Sequence, residues 1–208
     1  MGNLNILKRN KANRRTKSIV AIGCEGKNKT ESIYFKNFSS RECIIKFSTG
    51  NSTDPVGMAN NLVNFIQQED IKKEYGDVIY LLIDTDMNIT KQKQIDEAKI
   101  ICNKHGIELI TSTPTFEFWY ILHFEPTTKI YQNSAQVKNE IKKKIDGYTE
   151  SMNVFPVLAD KVDNAISNAK KIEQYQLKNG QDLNSCDCNP YTRIYKVVEE
   201  LKIRNSKK

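Results

Sequence analysis

With 208 residues, 38% of them hydrophobic and 27% charged, the chain has the size and composition of one soluble domain with a real core and room for a small appended lobe. Its longest apolar runs, such as VIYLL, are far too short to span a bilayer, and the basic, polar start lacks the apolar segment of a secretory signal, so a cytoplasmic protein with no membrane contact is expected. The two ends carry ten positive charges and no acid, so a chain of net charge +7 has a body of net charge −3.

Residues 1–17 read as a basic flexible arm. Its Arg14, Arg15 and Lys17 are candidates for gripping a phosphate backbone; a merely solubilising tail is an equal reading. SIVAIGCE (18–25) is a buried strand by its β-branched, apolar run. A helix follows in KTESIYFKNF, then a second strand over 42–49. Asp54 and Pro55 are the cap and first residue of the next helix. DVIYLLID (77–84) is the clearest strand, and KQKQIDEAKIICNKHG is an amphipathic helix closed by Gly106. After a short strand at 107–112, the aromatic stretch TPTFEFWYILHF (113–124) reads as a buried helix with Pro114 near its start. Helical patterns then cover about 134–145, 158–178 and 190–201, with Pro190 in the first turn of the last. Strands alternating with helices imply an α/β fold with a mostly parallel sheet covered on both faces, and a helical C-terminal part.

Five scattered cysteines do not form a disulfide framework. Cys186 and Cys188 cluster, but no second pair or histidine cluster completes a zinc site. They are read as two thiols on a polar loop.

Open α/β sheets place their sites beyond the carboxyl ends of strands. Glu25 follows the first strand, and Asp84 and Asp86 follow the third. In extended backbone, residues two apart point the same way, so both aspartates can aim at one point. If the two strands are neighbours, about 4.8 Å apart, Glu25 reaches that point too. Three carboxylates together call for a cation, and hard oxygen ligands in an open cluster suit Mg²⁺ or Mn²⁺. Taken singly, each acid has a plainer reading, as a turn residue or a helix-entry carboxylate. The glycine- and lysine-rich loop after the first strand fails as a Walker loop, because Asn28 and Glu31 stand where a second glycine is needed. Its Lys27 and Lys29 are candidates for holding a phosphate, or are simply solvated.

Three stretches resemble the RloB-like family, a branch of the Toprim fold. CEGKNKTESIYF matches an EG-x-K-T-E-x-x-Y-F signature with Asn28 inserted. LLIDTD matches a strand ending in D-x-D. STPTFEFWYILHF matches S-N-P-x-F-E-x-W-x-x-x-H-F, with Thr113 in place of the asparagine. The late NPYT (189–192) also fits, and the likeness spans about residues 14–201. It implies a Toprim-like core at 18–125 and a helical part at 126–208 packed on it. It also implies a Mg²⁺ site of Glu25, Asp84 and Asp86, and a nuclease acting on DNA or RNA in phage defence, with an ATPase partner. Carried over, Glu25 is a metal ligand or general base, Glu117 supports the cluster or binds a second ion, and His123 protonates a leaving group or holds a phosphate. On an α-helix Glu117 and His123 would point about 120° apart, and His123 reads equally well as a satisfied core histidine. A non-catalytic nucleic-acid-binding or regulatory subunit, and a small-molecule phosphotransfer enzyme, are the competing readings.

Overall fold

Five strands form one sheet in the order β2-β1-β3-β4-β5. The computed structural model describes residues 17–25, 30–48, 50 and 52–206. The strands are β1 Ile19–Gly23, β2 Ile44–Ser48, β3 Val78–Asp84, β4 Glu108–Thr113 and the two-residue β5 Tyr191–Thr192. The first four pair in parallel and β5 runs antiparallel against β4. The helices are α1 Thr30–Lys36, α2 Pro55–Gln68, α3 Ile89–His105, α4 Phe118–Ile121, α5 Ser134–Lys144, α6 Phe155–Leu158, α7 Val162–Lys178 and α8 Ile194–Ser206. None of them is long and apolar enough to cross a membrane.

The strand order follows from the handedness of crossovers. From β1 the chain passes through α1 on one face and places β2 on one side. It then returns through α2 on the other face to place β3 on the opposite side, next to β1. Right-handed connections in opposite directions must use opposite faces. The order therefore reverses between β1 and β3, which opens a crevice at their carboxyl ends.

Period-two alternation divides the strand residues between two cores. Ile19, Ala21, Ile79, Leu81 and Ile83 face α2 and α3 in an aliphatic layer. Val20, Ile22, Tyr80, Leu82 and Ile110 face a larger, aromatic layer that includes Tyr34, Phe116, Trp119, Val137, Ile166 and Leu201. That second layer is continuous from β1 to α8, so the C-terminal helices share one core with the strands.

Most expected elements are present within a residue or two. Asp54 caps α2, accepting from Gly57 N at 2.8 Å. Gly106 closes α3 at φ 67°, a left-handed conformation that costs glycine nothing.

Three expectations need correction. The stretch 113–124 is buried but is helical only over Phe118–Ile121. After Pro114, Phe118, Trp119 and Tyr120 donate to carbonyls three residues back, so tight turns replace the α-helix. Pro190 does not open a helix. It precedes β5, whose pairing with Ser112 and Thr113 adds an antiparallel edge; two residues are too few to show a period. The basic C-terminal segment is part of α8 as far as Ser206. Arg204 is buried there, bonded to Ser18, Glu200 and the Gly76 carbonyl. Finally, Cys186 and Cys188 lie in a loop but are buried, Cys188 within the aromatic layer. The other three cysteines are also buried, and none of the five is in a disulfide among the described residues.

Candidate functional site

A pocket of about 110 Å³ opens at the carboxyl ends of β1 and β3. Glu25, Glu31, Asp84, Asp86, Glu117 and Glu150 line it, with Thr30, Thr115, Ser134 and Lys138 among the other wall residues. β1 delivers Glu25 two residues past its end, and Asp84 is the last residue of β3. The parallel pairing of Gly23 with Leu81 makes these strands direct neighbours.

The buried acids share donors. Thr115 Oγ1 lies 2.9 Å from Asp84 Oδ2 and 2.5 Å from Glu117 Oε2. A hydroxyl has one proton, so it cannot donate to two carboxylates at once. Burial pushes the Asp84 carboxyl well above the usual carboxylate range, and the charges of Glu31 and then Glu117 push it further. The Phe116 N–H and the Thr115 hydroxyl pull the other way and do not offset this. A protonated Asp84 donating to Thr115, which then donates to Glu117, gives each of these three groups a partner. The extra proton stands where a cation would be equally welcome.

Glu117 is 3% exposed. Besides Thr115, it accepts from Thr30 Oγ1 at 3.5 Å and Tyr148 OH at 3.4 Å. Lys138 Nζ, from α5, stands 3.8 Å from it and 2.7 Å from Glu150. Burial and the charge of Glu117 hold the Tyr148 phenol neutral, above its usual range.

Asp86 behaves differently from its expectation. It lines the pocket, but its backbone is left-handed at φ 50°, as is that of Met87 at 54°. The alternation of an extended strand therefore stops at Asp84. The Asp86 carboxylate pairs with Lys91 Nζ at 2.7 Å. Two successive non-glycine residues at positive φ in a site loop store strain, and two backbone bonds hold them. Thr85 N donates to Ser112 O and Asp86 N to Pro114 O. Thr113 accepts from the Thr85 hydroxyl at 3.1 Å.

His123 is not among the residues lining this pocket. It is 1% exposed within the aromatic layer. Nδ1 lies 2.9 Å from the Trp119 carbonyl, which can only accept, so Nδ1 carries the proton. Nε2 then accepts from Tyr34 OH at 3.2 Å. Burial lowers its pKa to about 4, so the ring is neutral at neutral pH.

Lys17 is exposed just before β1, at the opposite end of that strand from Glu25. Arg14, Arg15, Lys27 and Lys29 lie outside the described residues. Among the described residues, no three His, Cys, Asp or Glu side chains are already arranged to hold a metal ion. The donor set is nonetheless all hard oxygen and short of one positive charge between Asp84 and Glu117, which fits Mg²⁺ or Mn²⁺.

Sequence reasoning missed Glu31, Thr115, Lys138 and Glu150. Glu31 had a signal. It shares a helical face with Tyr34 and Phe35, three and four positions on, and all three are buried. A charge at core spacing marks a buried site residue. Lys138 had none, because a lysine beside the apolar Val137 and Ile141 of an amphipathic helix looks like any surface lysine.

A family model described as RloB-like protein matches residues 20–201. The chain therefore belongs to the RloB-like protein family. No curated protein and no solved structure matches it.

Proposed function

We propose that the chain is a metal-dependent nuclease, with a Toprim-type site that cleaves phosphodiester bonds of DNA or RNA. The observation that carries this reading is the sharing of one Thr115 hydroxyl by Asp84 and Glu117, under the added charge of Glu31. Such a cluster is costly unless a proton or cation neutralises it, and a fold does not need it for stability. Glu25, Asp84 and Asp86 would hold Mg²⁺ or Mn²⁺, with Glu31 and Glu117 alongside. When bound, the ion supplies charge stabilisation at the phosphate and a water of lowered pKa. Glu25 would hold the metal or, as the alternative role, accept a proton from an attacking water. Thr115 orients the Asp84 and Glu117 carboxyls. Asp86 joins only by leaving Lys91, an exchange that a substrate phosphate drawing off the lysine would favour. His123 stays a neutral core residue in this scheme. The family resemblance adds phage defence and an ATPase partner as the biological setting.

A second reading, a nucleic-acid-binding or regulatory subunit without turnover, is favoured by the Asp86–Lys91 pair, since it keeps one carboxylate out of the cluster. Plasmid DNA, single-stranded DNA and total tRNA incubated with Mg²⁺, Mn²⁺ or EDTA decide between them, beside an Asp84→Ala/Asp86→Ala control. Cleavage that requires metal and disappears in the control establishes the nuclease. Salt-sensitive binding with no cleavage, even with the ATPase added, establishes the subunit.

A further inference from the structure

Lys138 is the one cation among the described residues that line the acidic pocket. It arrives from α5, outside the strand-bearing part of the chain, and Val137 and Ile141 on either side are fully buried. Its anchor is therefore rigid. A pocket walled by six carboxyl groups repels a polyanion, so a backbone phosphate can enter only against a compensating charge.

Lys138 supplies that charge and is free to move it. Its Nζ bonds Glu150 Oε1 at 2.7 Å. The 3.8 Å separation from Glu117 exceeds hydrogen-bond length. An ammonium has three donors, and the bond to Glu150 engages one. The Glu150 side chain is 63% exposed, so this pair contributes little and exchanges readily. Burial acts to lower the Lys138 pKa, but the bond to Glu150 and the charges of Glu117, Glu150 and Asp84 leave it raised.

We propose that Lys138 binds a non-bridging phosphate oxygen of a nucleic-acid backbone in this pocket, releasing Glu150 to do so. The inference rests on the nuclease reading for its substrate class. It assigns a substrate contact to the helical C-terminal part, and it makes Glu150 a displaceable lid on that contact rather than a metal ligand.

The test is fluorescence anisotropy of labelled single-stranded and duplex oligonucleotides in EDTA, across a range of KCl. The proteins are wild type, Lys138→Gln, Lys138→Arg, Glu150→Gln and Lys143→Gln, the last an exposed lysine of the same helix. Lys138→Gln should weaken binding roughly ten-fold, the loss of one charge-assisted hydrogen bond. The slope of log K against log salt should shrink by about 0.7 on single strands and about 0.9 on duplex, one phosphate contact. Lys138→Arg should retain both values, and Glu150→Gln should tighten binding. A slope in Lys138→Gln equal to wild type, or a loss matched by Lys143→Gln, overturns the proposal. If Lys138→Gln does not fold, as read from its melting curve, Glu150→Gln decides, and binding no tighter than wild type overturns it. Wild-type binding without metal-dependent cleavage sinks the nuclease reading and leaves the Lys138 contact standing. Wild type that binds neither oligonucleotide sinks both.

Discussion

The two faces of the sheet are built on opposite principles. The face under α2 and α3 is a layer of Ile, Leu, Ala, Met and one Cys with no buried aromatic residue among the described residues. The face under α1, α4, α5, α7 and α8 is aromatic and holds buried polar groups: Glu31, Thr115, Glu117 and His123. The first face follows the rules that stabilise any domain. The second breaks them at one end, where carboxyl groups crowd together. The contrast teaches that the aliphatic layer serves as a rigid floor and that the aromatic layer holds the strain of the site. Residues that break stability rules are expected at function.

The largest expected effect comes from separating these roles. Asp84→Asn should reduce metal-dependent cleavage by about a thousand-fold, about 4 kcal/mol of barrier. The same change removes the cost of holding Asp84 protonated beside Glu31 and Glu117 at pH 7, while an amide still bonds Thr115. The melting temperature at pH 7 should therefore rise by about 2–4 °C, the equivalent of roughly 1 kcal/mol. Activity assays and calorimetry on one preparation check both halves, and a loss of both activity and stability would erase the contrast.

Leu62→Ala is the reciprocal experiment on the aliphatic face. Leu62 is fully buried, and its Cδ2 would stand 3.0 Å from a Cβ built on Gly23. That close approach is why β1 ends in glycine. Deleting the side chain should cost about 3 kcal/mol, or on the order of 10 °C. Cleavage measured well below the new melting temperature should stay within about two-fold of wild type.

The aliphatic face was nearly all legible from the sequence, because period-two strands, the Asp54–Pro55 start of α2 and the Gly106 stop of α3 are local signals. The site was legible where chain order announces it. Glu25 and Asp84 follow buried strands, so strand ends locate them. It was not legible where tertiary packing creates it. Lys138, Tyr148 and Glu150 come from 21 to 120 positions away from their partners Glu117 and Thr30. The turns after Pro114 hid in an apolar run that reads as a helix, and the left-handed backbone at Asp86 defeats an argument from strand alternation.

His123 tests the aromatic face away from the pocket. Its pKa is depressed to about 4 in the folded protein against 6.5 unfolded. The unfolded state therefore binds more protons between those values, and stability rises with pH across that window. The contribution is complete above pH 6.5 and is lost as pH falls toward 4, by about 3 kcal/mol in all. His123→Leu should abolish that part of the slope in urea melts from pH 7 to pH 4, while Glu117→Gln leaves it. An unchanged slope in His123→Leu would mean that the ring is not held neutral by burial.

The smallest effect separates two residues that occupy the same formal position. Asp54 precedes α2 and accepts from its Gly57 N–H. Glu117 precedes α4 and makes no capping bond, because its carboxylate turns into the pocket toward Thr115. An acid at a helix start is worth about 1 kcal/mol as a cap. Asp54→Ala should thus lower stability by about that amount with cleavage intact, and Asp54→Asn should restore it. Glu117→Gln keeps an acceptor for one of the Thr115 and Tyr148 hydroxyls and offers an amide donor to the other, and it removes a buried charge that no helix terminus was using. Its stability at pH 7 should equal or exceed that of wild type, while cleavage falls. Equal destabilisation by the two changes would show that Glu117 is a structural cap after all, and the division between floor and site would then fail at its closest point of comparison.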